Sequence, residues 1–482
     1  MFSYRANCRA RRTFRAGAGF IRVARKPSSG ARLKFPSAPW WSRATSAIAT
    51  CPRRAGSRAD CALAEVAAFR CIRCHTEYDA SADYFGCARC EAEVPSNLEV
   101  VYATGLVNGA GGGLPATWVG RRRGLWRYSE SLPVDPSNAI SLGEGGTPLV
   151  ACSTVGEEIG LLQLFAKNES QNPTWSFKDR LASVAISWAH LNGRPGIAIS
   201  SSGNAGTAAA AYAARAGLPC VILTTRGYPG AMQRLMRSYG AMVVAAPTGP
   251  DRWTLNRALA REWGWLPLSN TATPPVGSHP IGVEGYKSIA FEICEDLDWR
   301  PPDAVIVPVA YGDAIYGIHR GFKELLAAGL IGRLPRLIAA ETYPSLTRAV
   351  AEDAAGPVAT EGGQTLAFSV GTPRGTYQAL LAIRESEGTA LAISDDDALQ
   401  AHHELREKEG LFVELASAYG LAAARRLQST GELTSHDRIV MLITSSGLKD
   451  TETTSAEGEL PLVKPDLGSL ANLLKRQFGF AA

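Results

Sequence analysis

The 482-residue chain is 46% hydrophobic and 20% charged, the balance of an ordinary soluble protein long enough for two or three domains. It holds no run of about eighteen uncharged apolar residues, which argues against a spanning helix. The formal charge of +5 belongs to one end: residues 1–59 carry fourteen Lys or Arg and no acid, leaving −9 for the remainder. A mildly acidic body argues against nucleic acid as the partner of the whole chain.

Residues 1–60 read as a basic extension with little fixed structure. Arg11-Arg12, Arg25-Lys26 and Arg53-Arg54 are mixed with Ser and Pro, and no apolar signal core is present. That composition resembles an organelle transit peptide. The competing reading is a disordered or wrongly translated extension from a GC-rich reading frame, which leaves a cytoplasmic enzyme.

Next, within residues 61–95, come two Cys-x-x-Cys knuckles, Cys71/Cys74 and Cys87/Cys90, separated by twelve residues. Each knuckle can offer two thiolates to one tetrahedral ion, so this segment reads as a zinc-ribbon-like unit with Cys71, Cys74, Cys87 and Cys90 as ligands. Disulfides and a redox-active pair are the alternatives. Scattered single cysteines (Cys152, Cys220, Cys294) and a missing thioredoxin-like context weigh against both.

From residue 96 the chain alternates short β-branched runs with Ala-rich stretches. Strands are expected at 195–200, 220–223, 242–245, 304–309 and 438–443, with helices at 205–216, 231–239 and 315–325. Gly217 and Gly240 stand where helices should stop. Such alternation predicts an α/β fold with a mostly parallel sheet covered on both faces.

Ligands gather at the carboxyl ends of such strands, and the suspicious loops all lie there. Asn172-Pro-Thr-Trp-Ser-Phe-Lys-Asp-Arg180 places Lys178 at the start of an apolar helical run. There its amine can be desolvated for a Schiff base with pyridoxal phosphate; an ordinary solvated lysine paired to Asp179 is the bland alternative. Ser200-Ser-Ser-Gly-Asn-Ala-Gly206 follows a strand and opens a helix, making an anion site. Asn204 stands at its tip as a ligand contact or a helix N-cap. Ala310-Tyr311-Gly312-Asp313-Ala314 offers a second anion site, suited to a phosphate. Thr444 opens a last loop of hydroxyls.

These segments, in this order, resemble threonine synthase and its relatives in the pyridoxal-phosphate superfamily typified by the tryptophan synthase β subunit. The matching stretches are Leu142-Gly-Glu-Gly-Gly-Thr-Pro-Leu149, Asn172–Arg180, Ser201–Gly206, Glu284-Gly-Tyr-Lys-Ser-Ile-Ala-Phe-Glu-Ile293 and Gly447-Leu-Lys-Asp450. The resemblance implies a tryptophan synthase β-like fold of two lobes over residues 96–482, the large lobe about 96–182 and 275–482, the small lobe about 183–274. It implies that Lys178 carries the cofactor, Asn204 contacts its 3-oxygen, and Ala310, Tyr311, Gly312, Asp313 and Ala314 cradle its phosphate. Thr444 would meet the pyridine nitrogen. The backbone of Ser201, Ser202 and Gly203 would take the substrate carboxylate.

The implied reaction is a carbon–oxygen lyase step that turns O-phosphohomoserine and water into L-threonine and phosphate, carried out by a homodimer on a small amino-acid substrate. Arg180 or Arg234 could face the substrate phosphate, although surface or ion-pair roles are the more ordinary reading of each. Departures from the family pattern are Trp175 where a small residue is usual, Leu181 where Gly is usual, and Asp313 beside an expected phosphate. They keep open another pyridoxal-phosphate lyase, dehydratase or β-replacement enzyme. A non-catalytic zinc-ribbon interaction protein is the alternative of a different kind.

Overall fold

A computed structural model describes residues 65–80, 85–103, 116–227, 230–454 and 459–480. The basic extension 1–60 and parts of the cysteine segment (61–64 and 81–84) lie outside the described residues. Residues 59–482 form one compact unit.

Three sheets organise it. A small antiparallel sheet orders Glu77–Asp79, Val66–Cys71 and Leu98–Tyr102. The largest has six strands in the order Thr389–Ala392, Arg336–Glu341, Ala304–Pro308, Arg438–Ile443, Gln163–Asn168 and Leu149–Ala151. All its pairs are parallel except the last, which is antiparallel. The third sheet is wholly parallel, with Met242–Ala245, Cys220–Thr224, Ile197–Ser200 and Leu266–Pro267 side by side.

The apolar runs of the central strands follow from burial on both faces. Val305, Val307, Leu337, Ala339, Val440 and Leu442 face one apolar cluster, shared with helices Lys287–Asp296, Asp313–Ala327 and Tyr377–Glu385. Their neighbours Ala304, Ile306, Ile338, Ala340, Ile439 and Met441 face another, shared with Asp395–Glu409 and Leu415–Ser429. The four-stranded sheet packs Ile197, Ile199 and Ile222 against helices Lys178–Leu191 and Asn204–Ala216. Gly217 ends the latter helix in the left-handed conformation (φ 68°), as its place in the sequence suggested. Among the described residues no helix is long and apolar enough to cross a membrane.

Leu181, where the family pattern has Gly, is buried. A Cβ on Gly282 would lie 2.8 Å from Leu181 Cγ, so the glycine opposite makes room for the larger side chain.

Candidate active site

One cavity of about 250 Å³ is lined by Lys178, the loop 200–205, the loop 308–315 and Thr444. Each loop leaves the carboxyl end of a strand: Ile197–Ser200, Ala304–Pro308 and Arg438–Ile443. The positions singled out as cofactor or substrate contacts, from Lys178 and Ser201 through Asn204, 310–314 and Thr444, therefore surround a single space.

Lys178 is the first residue of helix Lys178–Leu191. The turn before it is fixed by Asn172, whose side chain accepts from Gly145 N (2.9 Å) and donates to Glu169 O (2.9 Å). Phe177 N donates to Thr444 O (3.0 Å), tying the lysine segment to the last strand. The part-buried Lys178 has no ion pair or hydrogen bond among the described residues; its Nζ sits 4.3 Å from the centroid of Phe177 and 5.6 Å from that of Tyr286. Burial lowers the pKa of its amine below the ordinary lysine value, against the opposing charge of Asp313. A partly desolvated amine with no direct ion pair among the described residues is one poised for nucleophilic use. The bland alternative of a pair with Asp179 is not adopted: Asp179 instead accepts from Thr174 N (2.9 Å) and Thr174 Oγ1 (2.8 Å).

Helix Asp313–Ala327 starts at the cavity after Gly312, whose φ of 82° suits glycine. A Cβ there would come within 2.2 Å of Ala379 Cβ, so the chain at this point is as close-fitting as it can be. The first turn leaves N–H groups directed out of the helix end, a site for an anion. Asp313 does not spoil it. Its Oδ1 accepts from Ser278 N (2.8 Å) and Gln378 Nε2 (2.5 Å), and its Oδ2 from Ser278 Oγ (2.7 Å).

Helix Asn204–Ala216 starts similarly, but its N-cap is Gly203, and Asn204 makes no side-chain cap. The Asn204 amide is held in a buried network instead. Its Nδ2 donates to Glu414 Oε2 (2.7 Å), while its Oδ1 accepts from Lys449 Nζ (2.8 Å) and Ser445 Oγ (3.1 Å). An ammonium on the oxygen fixes which way the amide faces, and one N–H of Nδ2 remains for a ligand. Burial lowers the Lys449 amine and raises the Asp179 carboxyl, each opposed by the other's charge. Capping of the loop falls to Ser201, whose Oγ accepts from Gly203 N (3.3 Å) and Gly206 N (2.9 Å). Ser201 N donates to Leu223 O (3.0 Å). Of the amides of Ser201, Ser202 and Gly203 expected to face a carboxylate, only that of Ser202 is left uncommitted; those of Asn204 and Ala205 join it, as the first turn of a helix requires.

Thr444 shares a hydrogen bond with Ser417 (Oγ1 to Oγ 2.8 Å), and Ser417 Oγ also accepts from Thr444 N and Ser445 N, both 3.1 Å. The lining thus offers what pyridoxal phosphate needs: a desolvated amine, a helix end for a phosphate, an oriented amide and a neutral hydroxyl.

Neither arginine offered for the substrate phosphate lines the cavity, and both take the more ordinary ion-pair or surface role. Arg180 is fully buried and carries four short bonds to carboxylates: Nε and Nη2 to Glu169 (2.6 and 2.7 Å), Nη1 and Nη2 to Glu292 (2.7 and 2.8 Å). Arg234 is exposed and borders a separate pocket with Trp175, Leu448 and Lys449. Trp175 itself has φ 61° and is 39% exposed, and it is absent from the cavity lining. The unusual tryptophan therefore costs backbone strain without narrowing the Lys178 cavity. Sequence reasoning missed Glu414, Ser417 and Arg252, which bear no motif. Lys449 stood inside a quoted motif without a role.

The four knuckle thiols also converge. Their Sγ atoms all lie within 4.8 Å of one another, with Cys71–Cys90 at 3.8 Å and Cys74–Cys87 at 3.5 Å, and none is in a disulfide. Zinc–sulfur bonds of about 2.3 Å at tetrahedral angles set sulfurs roughly 3.8 Å apart. The set fits a zinc ion held by four thiolates.

A family profile described as pyridoxal-phosphate dependent enzyme matches residues 140–445. The chain is 35% identical over 416 residues to the threonine synthase of Methanocaldococcus jannaschii, covering 84% of this chain and 99% of that one. It is 33% identical over 402 residues to the threonine synthase of Methanosarcina acetivorans, covering 82% and 95%. Among solved structures, maize serine racemase superposes with a TM-score of 0.54 at 21% identity, over 69% of this chain and 92% of that one, a likeness of fold.

Proposed function

Because the chain belongs to the pyridoxal-phosphate dependent enzymes, with threonine synthases as its relatives, we propose that it converts O-phosphohomoserine and water to L-threonine and phosphate. The observation that carries this reading is the part-buried Lys178 amine, without an ionic partner among the described residues, on a cavity that also presents two helix N-termini.

When bound, the cofactor supplies the electron sink that lets protons leave the substrate's carbon atoms. The residues do the rest. Lys178 Nζ would hold the cofactor covalently. Released from it, the same desolvated amine would accept the substrate's α-proton and later return a proton. The amides of 312–315 would hold the cofactor's phosphate at the helix end. Thr444 would offer the ring nitrogen a hydroxyl, which cannot supply a permanent proton as a carboxylic acid would, and Ser417 holds that hydroxyl in place. The free N–H of Asn204 Nδ2 would bind the cofactor's ring oxygen, with Lys449 and Glu414 as positioning residues behind it. The substrate carboxylate falls to the amides of Ser202, Asn204 and Ala205.

The test is direct. Purified protein loaded with the cofactor should release phosphate and threonine in equal amounts from O-phosphohomoserine, and neither from homoserine. Release of ammonia and a keto acid from serine or threonine, with no turnover of O-phosphohomoserine, would replace this reading with a dehydratase.

A further inference from the structure

A substrate that carries a phosphate brings about two negative charges into the cavity, and the cavity must hold a cation to receive them. Lys178 is committed to the cofactor. Arg180 is saturated by Glu169 and Glu292, and Arg234 faces elsewhere. Among the described residues lining the cavity, the remaining cationic side chain is Arg252.

Arg252 lies in the first turns of helix Gly249–Trp263, whose start is fixed by a reciprocal pair between Thr248 and Asp251. The Asp251 carboxylate is turned to Thr248 N (3.0 Å) and Oγ1 (2.6 Å), so it does not neutralise its neighbour. Arg252 has no ion pair among the described residues. Its Nη1 donates to Ser202 Oγ (3.1 Å), which is itself held by Thr224 Oγ1 (2.9 Å), and its Nε is buried with no hydrogen-bond partner. A guanidinium anchored at one end to the ligand-facing loop, with an unmet buried donor at the other, is arranged for a forked contact to a phosphate.

Resting on the function proposed above, we infer that Arg252, braced by Ser202, binds the side-chain phosphate of the substrate and sets the preference for phosphorylated amino acids. It is a specificity-determining residue for this site. Nothing in the sequence around it, an ordinary polar helix, points to that role.

The experiment compares two unreactive amino acids on the cofactor-loaded enzyme by calorimetry: L-2-amino-5-phosphonopentanoate, which keeps the phosphate's shape and charge, and L-norvaline, which lacks it. Arg252→Gln should weaken the phosphonate by roughly 10- to 100-fold, leave norvaline binding unchanged, and retain the cofactor's visible absorption. Arg252→Lys, which keeps the charge without the fork, should fall between. Equal weakening of both ligands would assign Arg252 to the carboxylate. Loss of the cofactor would assign it to the cofactor's phosphate. Either outcome, or no change, overturns the inference, as does a wild-type enzyme with no preference for the phosphonate. If the wild type prefers the phosphonate through Arg252 yet makes no threonine from O-phosphohomoserine, the anion site stands and the proposed reaction falls.

Discussion

Replacing Arg180 with Gln separates structural from substrate-binding roles for the arginine two residues after Lys178. The change deletes four bonds of 2.6 to 2.8 Å to Glu169 and Glu292. Glu292 keeps Lys167 (2.9 Å) and Gly146 N (2.8 Å). Glu169 is left with Thr147 Oγ1 (2.6 Å) and Asn172 Nδ2 (2.9 Å), a buried carboxylate without a cation. Breaking a buried pair from one side costs about 3–5 kcal/mol, a large share of the roughly 5–15 kcal/mol that holds a domain together. At about 2 °C per kcal/mol for a chain of this size, Tm should fall by about 6–10 °C. Thermal unfolding of the cofactor-loaded protein measures it, and the KM for O-phosphohomoserine at a temperature where the variant is folded should stay within about twofold. An unchanged Tm with a KM raised about tenfold would return Arg180 to the substrate.

Gly312→Val places a β-branched side chain at φ 82° and a Cβ 2.2 Å from Ala379 Cβ. Strain and overpacking together cost about 2–5 kcal/mol, so cofactor affinity measured by equilibrium dialysis should drop at least tenfold; wild-type affinity would contradict the fit at this helix end. Glu130 is opposed by burial, but Arg121, its own backbone N–H and Trp118 outweigh that and hold its carboxyl at about 2. A depressed folded-state pKa gives stability that is present above the unfolded value near 4.5 and lost as pH falls towards 2; Glu130→Gln should flatten that stretch of the stability–pH curve, and an unaltered slope would count against the pairing. Elemental analysis of reduced protein should find one zinc per chain, and chelation should lower Tm; protein purified without metal and insensitive to chelator would remove the ion from the Cys71, Cys74, Cys87 and Cys90 cluster.

The fold was legible in the chain because its strands are buried on both faces. Runs such as Ala304-Val-Ile-Val and Arg438-Ile-Val-Met-Leu-Ile443 have one reading when helical stretches separate them, and their carboxyl ends locate the ligand loops. That Lys178, Ser201–Asn204, 310–314 and Thr444 gather at one cavity was within reach for that reason. What the sequence concealed was the division of labour among charged residues. Arg180 and Arg252 are alike as letters; one is saturated by two glutamates, one of them more than a hundred residues downstream, and the other lines the cavity with a donor to spare. Several residues of the recognised motifs turn out to hold the scaffold. Glu144 collects Trp126, Ser183 and Tyr212, and Glu292 pairs Arg180 and Lys167. The orientation of Asn204 depends on Glu414, about two hundred residues downstream, a contact no local pattern encodes.

On the proposed function, Lys178 and no other lysine carries the cofactor. Lys449 is the serious competitor, since it too is a buried amine with a lowered pKa close to Asn204. Reduction of the cofactor-loaded protein with borohydride, followed by digestion and mass spectrometry, makes the linkage permanent and locates it. The cofactor's mass should appear on the peptide containing Lys178, and Lys178→Ala should lose both the label and the visible absorption. Label on the peptide containing Lys449, or a Lys178→Ala protein that still labels and still absorbs, would contradict the account.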